Sequence, residues 1–179
     1  MAETWQIRLE RPEDAARVEA LDNDGFGSGR FAKSAYRLRE GVAPERTLCF
    51  VAVENGTVLG SVRFWPIVVG MEKALLLGPL AVQSDQRGRG IGIALMKHGI
   101  EKAARETEFR YALLVGDEPY YKRAGFARIA PGHIRFPGPV DRSRILGLSL
   151  KDGALAALSG DVMRARIDHP VCADGAPLA

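Results

Sequence analysis

The chain has 179 residues, of which 46% are hydrophobic and 26% charged, a composition typical of an ordinary globular domain. Its net charge of +3 suits an anionic ligand but is too small to indicate a nucleic-acid-binding protein. No apolar run approaches the roughly 18 residues that a membrane span requires, and the N-terminus lacks a leader pattern. We therefore expect one cytoplasmic domain over residues 1–179, with a core at 5–168, a frayed tail at 170–179, and neither membrane nor nucleic acid as partner.

The first part of the chain predicts a strand followed by two helices. Residues 5–9 alternate apolar and polar side chains, as a half-buried strand does, and Pro12 stands where a helix begins. Turn-forming residues at 22–29 are expected to end that helix. A second short helix is expected at 31–39.

A hairpin and a central strand are predicted next. Strands at 48–53 and 58–65 flank an Asn-Gly turn at 55–56, which is a strong hairpin signal. Pro66 is expected to end or to demote the second of these strands, because proline has no N–H to give to a sheet. Residues 74–82 are apolar nearly throughout, which predicts a strand that is buried on both faces in the middle of the sheet.

The second half of the chain predicts a mixed α/β fold. A loop at 83–88 leads into a helix whose apolar residues recur at helical spacing over 95–103. A strand at 111–115 follows, and the order strand, helix, strand predicts a parallel pair. Further strands are expected at 145–150 and 162–167.

The two cysteines indicate neither a disulfide framework nor a metal site. Cys49 and Cys172 match no ligand or disulfide spacing, and Cys49 lies in an apolar run. We expect Cys49 to be a small buried hydrophobic residue.

The most informative segment is a glycine-rich turn between the central strand and the long helix. It reads Arg87-Gly88-Arg89-Gly90-Ile91-Gly92. Glycines let a ligand approach the main chain, and the first N–H groups of a helix have no partners within it and lie at its positive end. We expect a pyrophosphate to bind there, with Arg87 and Arg89 adding charge at the rim. The alternative is a turn that only packs the helix against the sheet.

Two other phosphate-binding families use related glycine motifs. The P-loop requires Lys followed by Ser or Thr, and neither pair follows these glycines. The Rossmann motif follows the first strand of its fold and is paired with an acidic residue after the second. In this chain the glycines follow a late, central strand, although Glu108 stands roughly where such an acid would fall. The Rossmann alternative is weakened but stays open.

A second segment downstream completes a recognisable pattern. It reads Gly116-Asp117-Glu118-Pro119-Tyr120-Tyr121-Lys122-Arg123-Ala124-Gly125-Phe126. Together the two segments resemble the GNAT superfamily of N-acetyltransferases, whose signatures Arg/Gln-x-x-Gly-x-Gly/Ala and Tyr-x-Lys/Arg-x-Gly-Phe are matched at 87–92 and 121–126. The resemblance is strong over 72–128. Within the superfamily it is nearest to the small bacterial predicted acetyltransferases whose second motif reads Val-Gly-Asp-x-x-Tyr-Tyr.

The resemblance implies a fold, a cosubstrate and a reaction. The fold is mixed α/β, with a central, mostly antiparallel sheet that is splayed between strands four and five and flanked by helices. The cosubstrate is acetyl-CoA, without a metal, its pantetheine along the fourth strand and its pyrophosphate on the glycine-rich turn. The cofactor-binding residues implied are Leu80, Ala81, Val82, Arg87, Gly88, Arg89, Gly90, Ile91, Gly92 and Arg123. The reaction is direct acetyl transfer to a primary amine in a ternary complex, and Tyr121 matches the tyrosine that protonates the departing thiolate.

The residues of the central strand agree with this implication at one point and depart from it at another. Pro79 would break the ladder of a regular central strand, but a splayed or bulged strand tolerates it, and Gly78 beside it can admit a ligand. Some histone-type members carry a glutamate base where this chain has Leu76. Glu72 or a water chain can replace it, although Glu72 is better read as a surface carboxylate. Tyr120 is expected in the core.

The remaining candidates are weaker. His98 and His133 fit neither a base nor a ligand, and no cluster has metal spacing. The acceptor pocket is expected near residues 25–39 and the loop after Phe126. Four cations of the first region either receive an acidic acceptor or are merely solvated: Arg30, Lys33, Arg37 and Arg39.

Two other functions stay open beside the enzyme, which we expect to be a monomer or a homodimer. A non-catalytic acyl-CoA-binding sensor is favoured by the missing strand-four carboxylate and opposed by Tyr121. A dinucleotide-binding oxidoreductase accounts for the glycines alone. The sequence does not specify the amine acceptor or the length of the acyl chain.

Overall fold

The computed structural model describes residues 4–27, 34–130, 132–153 and 155–165. Within these ranges the chain forms nine strands and four α-helices, besides short 3-10 turns. The strands are β1 (Gln6–Leu9), β2 (Phe50–Glu54), β3 (Thr57–Val69), β4 (Glu72–Val82), β5 (Tyr111–Val115), β6 (Ala127–Arg128), β7 (Ile134–Arg135), β8 (Ile145–Ser149) and β9 (Gly160–Arg164). The helices are α1 (Ala15–Phe26), α2 (Ser34–Arg37), α3 (Ile91–Glu106) and α4 (Glu118–Tyr121). No helix in these ranges is long and apolar enough to cross a membrane.

The strands make one mixed sheet in the order β1-β2-β3-β4-β5-β8-β6, and β9 pairs with both β3 and β7. Neighbours along this order are antiparallel except for the parallel pair β4 and β5; β7 and β9 are also parallel. The mixed α/β fold, the mostly antiparallel sheet and the parallel pair across α3 are therefore confirmed.

Both faces of the central sheet are covered, as expected for β4. Leu75 and Leu77 face a core that includes Leu95 and Met96 of α3. The alternate residues of β4 face the other side, because successive side chains of a strand point to opposite faces. There, Leu76 joins a second core with strands β5, β8 and β9. Leu76, which we expected at the position of the histone-type base, is completely buried.

Pro66 does not end the second hairpin strand, although this was one of its two expected effects. β3 continues through it to Val69, and Pro66 lies opposite Leu75 of β4. The Pro66 carbonyl accepts a hydrogen bond from the N–H of Ala165 at 3.4 Å. Since the N–H and C=O of one strand residue point to the same side, the missing N–H of Pro66 faces Ala165 rather than β4. The β3–β4 ladder therefore loses no hydrogen bond to this proline.

The turn-forming residues at 22–29 do not stop α1 where expected. The helix runs through Gly25 to Phe26 and ends at Gly27, whose N–H bonds to the Asn23 carbonyl at 2.9 Å. A Cβ on Gly25 would lie 4.0 Å from the Cβ of Ala81, so Gly25 is a packing position of the helix against β4. The extra turn brings Phe26 to the end of the sheet where β4 and β5 separate.

Smaller differences concern the ends of elements. β7 was not expected, because a pair of residues carries no periodicity that a sequence pattern can reveal. Of the expected helix at 31–39, residues 34–37 are helical and 31–33 lie outside the described residues, as do residues 166–167 of the last predicted strand and the tail. Cys49 is buried as expected, and burial raises the pKa of its thiol to about 12. Cys172 lies outside the described residues.

Candidate active site

The site begins where β4 and β5 separate. Their parallel pairing covers only Ala74 to Leu76 on β4, which then continues to Val82 without β5 beside it. On β3, Val62 pairs with Leu80 and Phe64 pairs with Leu77. One residue lies between the two β3 partners, whereas two residues, Gly78 and Pro79, lie between the two β4 partners. The extra residue is a bulge, which bends β4 and accommodates the proline. The sheet is thus splayed at the position that Pro79 indicated.

One cavity, which we call the loop cavity, lies between the end of β4, the start of α3 and α4. Its volume is about 530 Å³. It is lined by Gly25, Phe26, Leu80, Ala81, Val82, Gln86, Arg87, Gly88, Gly90, Ile91, Gly92, Ile93, Asp117, Tyr120, Tyr121 and Arg123. Every residue that the resemblance assigned to cofactor binding lines this cavity except Arg89.

The loop cavity is built to hold an anion. Gly90, at a φ of 82°, precedes the first residue of α3, and no side chain caps that helix. The first N–H groups of α3 therefore lack side-chain partners and lie at the positive end of the helix dipole. No acidic residue stands in the first turn of α3, and Arg87 and Arg123 line the cavity. These groups together favour a phosphate or pyrophosphate.

Arg89 does not line the cavity, contrary to its expected place at the rim. Its guanidinium donates two hydrogen bonds to the Glu54 carboxylate, at 2.8 and 3.1 Å, and another to Gln86 Oε1 at 2.5 Å. Glu54 stands at the end of β2 and also accepts a hydrogen bond from Thr4. Arg89 and Thr4 lower the pKa of Glu54 to about 2. The glycine motif gave no sign of this carboxylate, which is 35 residues away in the sequence.

A second cavity, which we call the splay cavity, lies on the other side of the opening between β4 and β5. Its volume is about 390 Å³. It is lined by Phe26, Ser34, Ala35, Tyr36, Arg39, Leu77, Gly78, Pro79, Leu80, Leu114, Val115, Gly116, Asp117, Tyr121, Pro139, Val140, Asp141 and Arg144. The two cavities share four residues: Phe26, Leu80, Asp117 and Tyr121.

Tyr121 stands at this junction and is held there by its neighbours. A Cβ on Gly116 would overlap the Tyr121 ring, so only glycine leaves room for the ring at this distance. The ring also meets Phe126 edge-on, with centroids 6.3 Å apart. Burial raises the pKa of the Tyr121 hydroxyl to about 12, and the nearby Tyr120 and Asp117 add to the effect. Tyr121 therefore keeps its proton at neutral pH.

Tyr120 was expected in the core, but the structure places it elsewhere. Its side chain is 37% exposed and lines the loop cavity. Neighbouring residues on a helix point about 100° apart, so when Tyr121 faces the junction, Tyr120 faces α3. A Cβ on Gly92 would collide with the Tyr120 hydroxyl, which means that this glycine admits the tyrosine as well as opening the turn.

Of the four cations expected near the acceptor, one lies in a cavity, one does not, and two lie outside the described residues. Arg39 lines the splay cavity, with its guanidinium 4.6 Å from the Tyr36 ring and 5.8 Å from the Trp65 ring. Burial lowers the pKa of Arg39 to about 10, so it is charged at neutral pH. Arg37 is exposed and lines neither cavity. Arg30 and Lys33 are the two outside the described residues.

The residues considered as bases lie elsewhere. Glu72 is at the far end of β4, 3.5 Å from Arg110, and lines neither cavity. His98 packs against Phe50 with ring centroids 4.6 Å apart, and His133 also lines neither cavity. Over the described ranges no group of three or more His, Cys, Asp or Glu could hold a metal ion.

The structure instead brings two carboxylates to the splay cavity that sequence reasoning missed. Asp117 lies 3.2 Å from Arg144, and Asp141 accepts hydrogen bonds from the main chain and hydroxyl of Ser143. These hydrogen bonds lower the pKa of Asp141. Asp117 belongs to the second motif and could have been singled out there. Asp141 lies in a stretch rich in Pro and Gly without any such signal.

Comparison with known proteins identifies the family to which the sequence motifs pointed. The Acetyltransferase (GNAT) domain family matches residues 45–128. The uncharacterized N-acetyltransferase YhbS of Escherichia coli (strain K12) is 36% identical over 159 residues, which cover 86% of this chain and 92% of the relative.

Two solved structures share the fold over nearly the whole chain. The crystal structure of Escherichia coli YhbS in complex with CoA has a TM-score of 0.77, 32% identity, and coverage of 92% of both chains. That of a GNAT family acetyltransferase from Brucella melitensis in complex with acetyl-CoA has a TM-score of 0.66, 28% identity, and coverage of 90% and 96%. This chain belongs to the GNAT family of N-acetyltransferases.

Proposed function

We propose that this N-acetyltransferase binds acetyl-CoA in the loop cavity, receives a primary amine in the splay cavity, and transfers the acetyl group between them beside Tyr121. The observation that carries the proposal is the junction, because the two cavities meet at a proton-bearing tyrosine. Two relatives of the same fold, YhbS and the Brucella melitensis enzyme, were crystallised with CoA and acetyl-CoA.

The cofactor side uses main chain more than side chains. The pyrophosphate meets the N–H groups of Gly88, Gly90, Ile91 and Gly92, with Arg87 and Arg123 adding charge. Arg89 contributes its main chain, while its guanidinium ties the turn to Glu54.

The pantetheine arm follows the end of β4. Leu80 and Ala81 pair with β3, and no β5 residue pairs with them in the described ranges. The free edge of β4, which continues to Val82, is thus open to the amides of the arm, and the arm leads to the junction.

Tyr121 donates a proton to the departing thiolate. As the amine attacks the thioester carbon, a C–N bond forms and the C–S bond breaks, leaving a thiolate beside the phenol. An ordinary thiol has a pKa of about 8.5, so protonation by a phenol near 12 would be uphill by about 5 kcal/mol in water. Burial raises the pKa of a thiol as well, as at Cys49, where it reaches about 12. Where bound acetyl-CoA excludes water from the junction, the pKa of the departing thiol rises toward that of Tyr121, which favours the transfer.

The proton of the amine passes to a carboxylate of the site. Asp117 is the carboxylate that lines both cavities, and its side chain is 78% exposed. We assign it to pass this proton to solvent.

The test is calorimetric binding of acetyl-CoA and desulfo-CoA to the wild type and to Gly90→Glu. Glutamate places a negative charge at the proposed pyrophosphate site, so we expect micromolar binding in the wild type and its loss in the variant. Gly41→Glu is the matched control, because Gly41 also has a positive φ, of 70°, and equally open surroundings but lines neither cavity. A folded wild type that does not bind acetyl-CoA would overturn the proposal.

Catalysis is tested by thiol release with a panel of amines. Turnover by the wild type and its loss in Tyr121→Phe, with acetyl-CoA still bound, supports the enzyme. Binding of acetyl-CoA without turnover of any amine would instead favour a non-catalytic acyl-CoA sensor.

A further inference from the structure

Arg39 places a positive charge on the wall of the splay cavity, where it also borders a smaller cavity of about 260 Å³ that Glu19 and Asp22 line. It follows α2, is half-buried, and lies over the rings of Tyr36 and Trp65 at 4.6 and 5.8 Å. A Cβ on Gly78 would lie 3.1 Å from Arg39 Nη2, so the guanidinium touches the bulge of β4. The cation therefore stands at the point where the sheet opens toward the cofactor.

This charge has no carboxylate at ion-pair distance within the described part of the chain. Its Nε is buried and lacks a hydrogen-bond partner among the same residues. Tyr36 and Asp22 favour the charged form of Arg39, but their effect on its pKa is smaller than that of burial. Burial without a paired anion disfavours the charged form, as the lowered pKa of Arg39 shows. An anionic group entering the cavity would relieve this cost.

The other charges of the splay cavity are already engaged. Asp117 is paired with Arg144 at 3.2 Å, and Asp141 accepts two hydrogen bonds from Ser143. Of the two arginines that line the described cavity, Arg39 is therefore the one without a carboxylate partner among the described residues.

We propose that the acceptor amine carries a carboxylate that binds Arg39, so that the substrate is a small amino acid or a close analogue. The inference rests on the proposed function and names the substrate class of the same site. The guanidinium borders Gly78 at the bulge, and Arg39 and Tyr121 line the same cavity. A carboxylate on Arg39 therefore shares this cavity with an amine at the junction. An α-amino acid supplies both groups in one small molecule, whereas a lysine side chain of a protein brings no carboxylate of its own.

The test compares common α-amino acids with their decarboxylated amines, such as tyrosine with tyramine and histidine with histamine. Thiol release from saturating acetyl-CoA gives kcat/KM, and calorimetry on the protein with desulfo-CoA gives affinity. We expect at least one amino acid to be preferred over its amine by about 10-fold or more, the size of one hydrogen-bonded charge pair.

The variants assign that preference to Arg39. Arg39→Met is expected to lower kcat/KM for the preferred amino acid by about 10- to 100-fold, and to lower kcat/KM for its decarboxylated amine far less. Arg39→Lys keeps the charge and should lie between. Arg37→Met, a cation two positions earlier that lines neither cavity, should behave as wild type.

Two results would overturn the inference. One is that no amino acid binds or reacts better than its decarboxylated amine. The other is that Arg39→Met lowers both members of a pair equally, because Arg39 would then act on Tyr121 or on the fold instead of on the substrate. Acetyl-CoA binding, measured separately on each variant, distinguishes these results from a failure of the proposed function.

Discussion

Arg89 Nη2 lies 2.8 Å from Glu54 Oε1, and this ion pair fastens the glycine-rich turn to the β2–β3 hairpin. The two arginines of the turn therefore have different roles. Arg87 lines the loop cavity, and the Arg89 guanidinium holds the turn in place from outside it. The proximity of both to the glycines in the sequence does not distinguish these roles.

We therefore expect different effects from removing the two arginines. Arg87→Met should weaken acetyl-CoA binding by about 10-fold, because a charge-assisted hydrogen bond to phosphate is lost. Arg89→Met should weaken it by no more than about 3-fold, since an exposed ion pair contributes little. Calorimetry on both variants checks this difference. Equal losses would mean that Arg89 leaves Glu54 to bind the cofactor.

Replacing Tyr121 with phenylalanine should separate binding from chemistry. Loss of a positioned proton donor typically costs about 10²- to 10⁴-fold in rate, whereas the ring and its packing are retained. We expect kcat to fall within that range while the Kd of acetyl-CoA stays unchanged. Tyr120→Phe is the matched control, because its hydroxyl faces Gly92 in the loop cavity. A similar fall of kcat in both variants would argue against Tyr121 as the donor.

The pH dependence follows from the pKa of Tyr121, which is raised to about 12. The hydroxyl is protonated below that pH, so the donor form is fully present through neutral and moderately alkaline conditions. An amine acceptor must be neutral to attack, and alkyl amines have pKa values of about 10. We expect kcat/KM to rise with pH and not to fall again up to about pH 10. Rates measured after subtraction of spontaneous thioester hydrolysis check this. A falling limb below about pH 10 that is absent from Tyr121→Phe would contradict it.

The sequence predicted the loop cavity better than the splay cavity, for a physical reason. An anion site on main-chain N–H groups requires glycines and a helix start at adjacent positions, so Gly88, Gly90 and Gly92 reveal it locally. The splay cavity is assembled from segments far apart in the chain. Asp141 lies in a loop without periodicity, and its place in the same cavity as Tyr121 depends on how that loop returns to the sheet.

The fold shows the same distinction between local and tertiary causes. The Asn-Gly hairpin and the central β4 were predictable, because turn chemistry and apolar runs are local signals. The path of β3 through Pro66 was not predictable. It depends on whether the N–H that proline lacks would have pointed toward β4 or away from it. The extension of α1 to Phe26 depends on the contact of Gly25 with Ala81, which no helix propensity encodes.

Two glycines permit a test of whether Tyr121 needs its exact place or only its hydroxyl. A Cβ at Gly116 would overlap the Tyr121 ring, and a Cβ at Gly99 would lie 2.7 Å from Cζ of the completely buried Phe64. Overpacking of this kind costs about 1–3 kcal/mol. At Gly99 the better helix propensity of alanine returns up to about 1 kcal/mol, so a modest net destabilisation is expected.

Gly99→Ala and Gly116→Ala should therefore both unfold at lower urea concentration than the wild type, but with different kinetics. Gly99→Ala leaves the junction intact, and its kcat should match that of the wild type in conditions where it is folded. Gly116→Ala displaces the Tyr121 ring, and a displacement of this kind can cost about 10²-fold in rate. Urea denaturation and thiol release, measured on the same preparations, separate stability from catalysis. If Gly116→Ala kept full kcat, the tyrosine would tolerate a range of positions, and the close packing on Gly116 would serve the fold instead of the reaction.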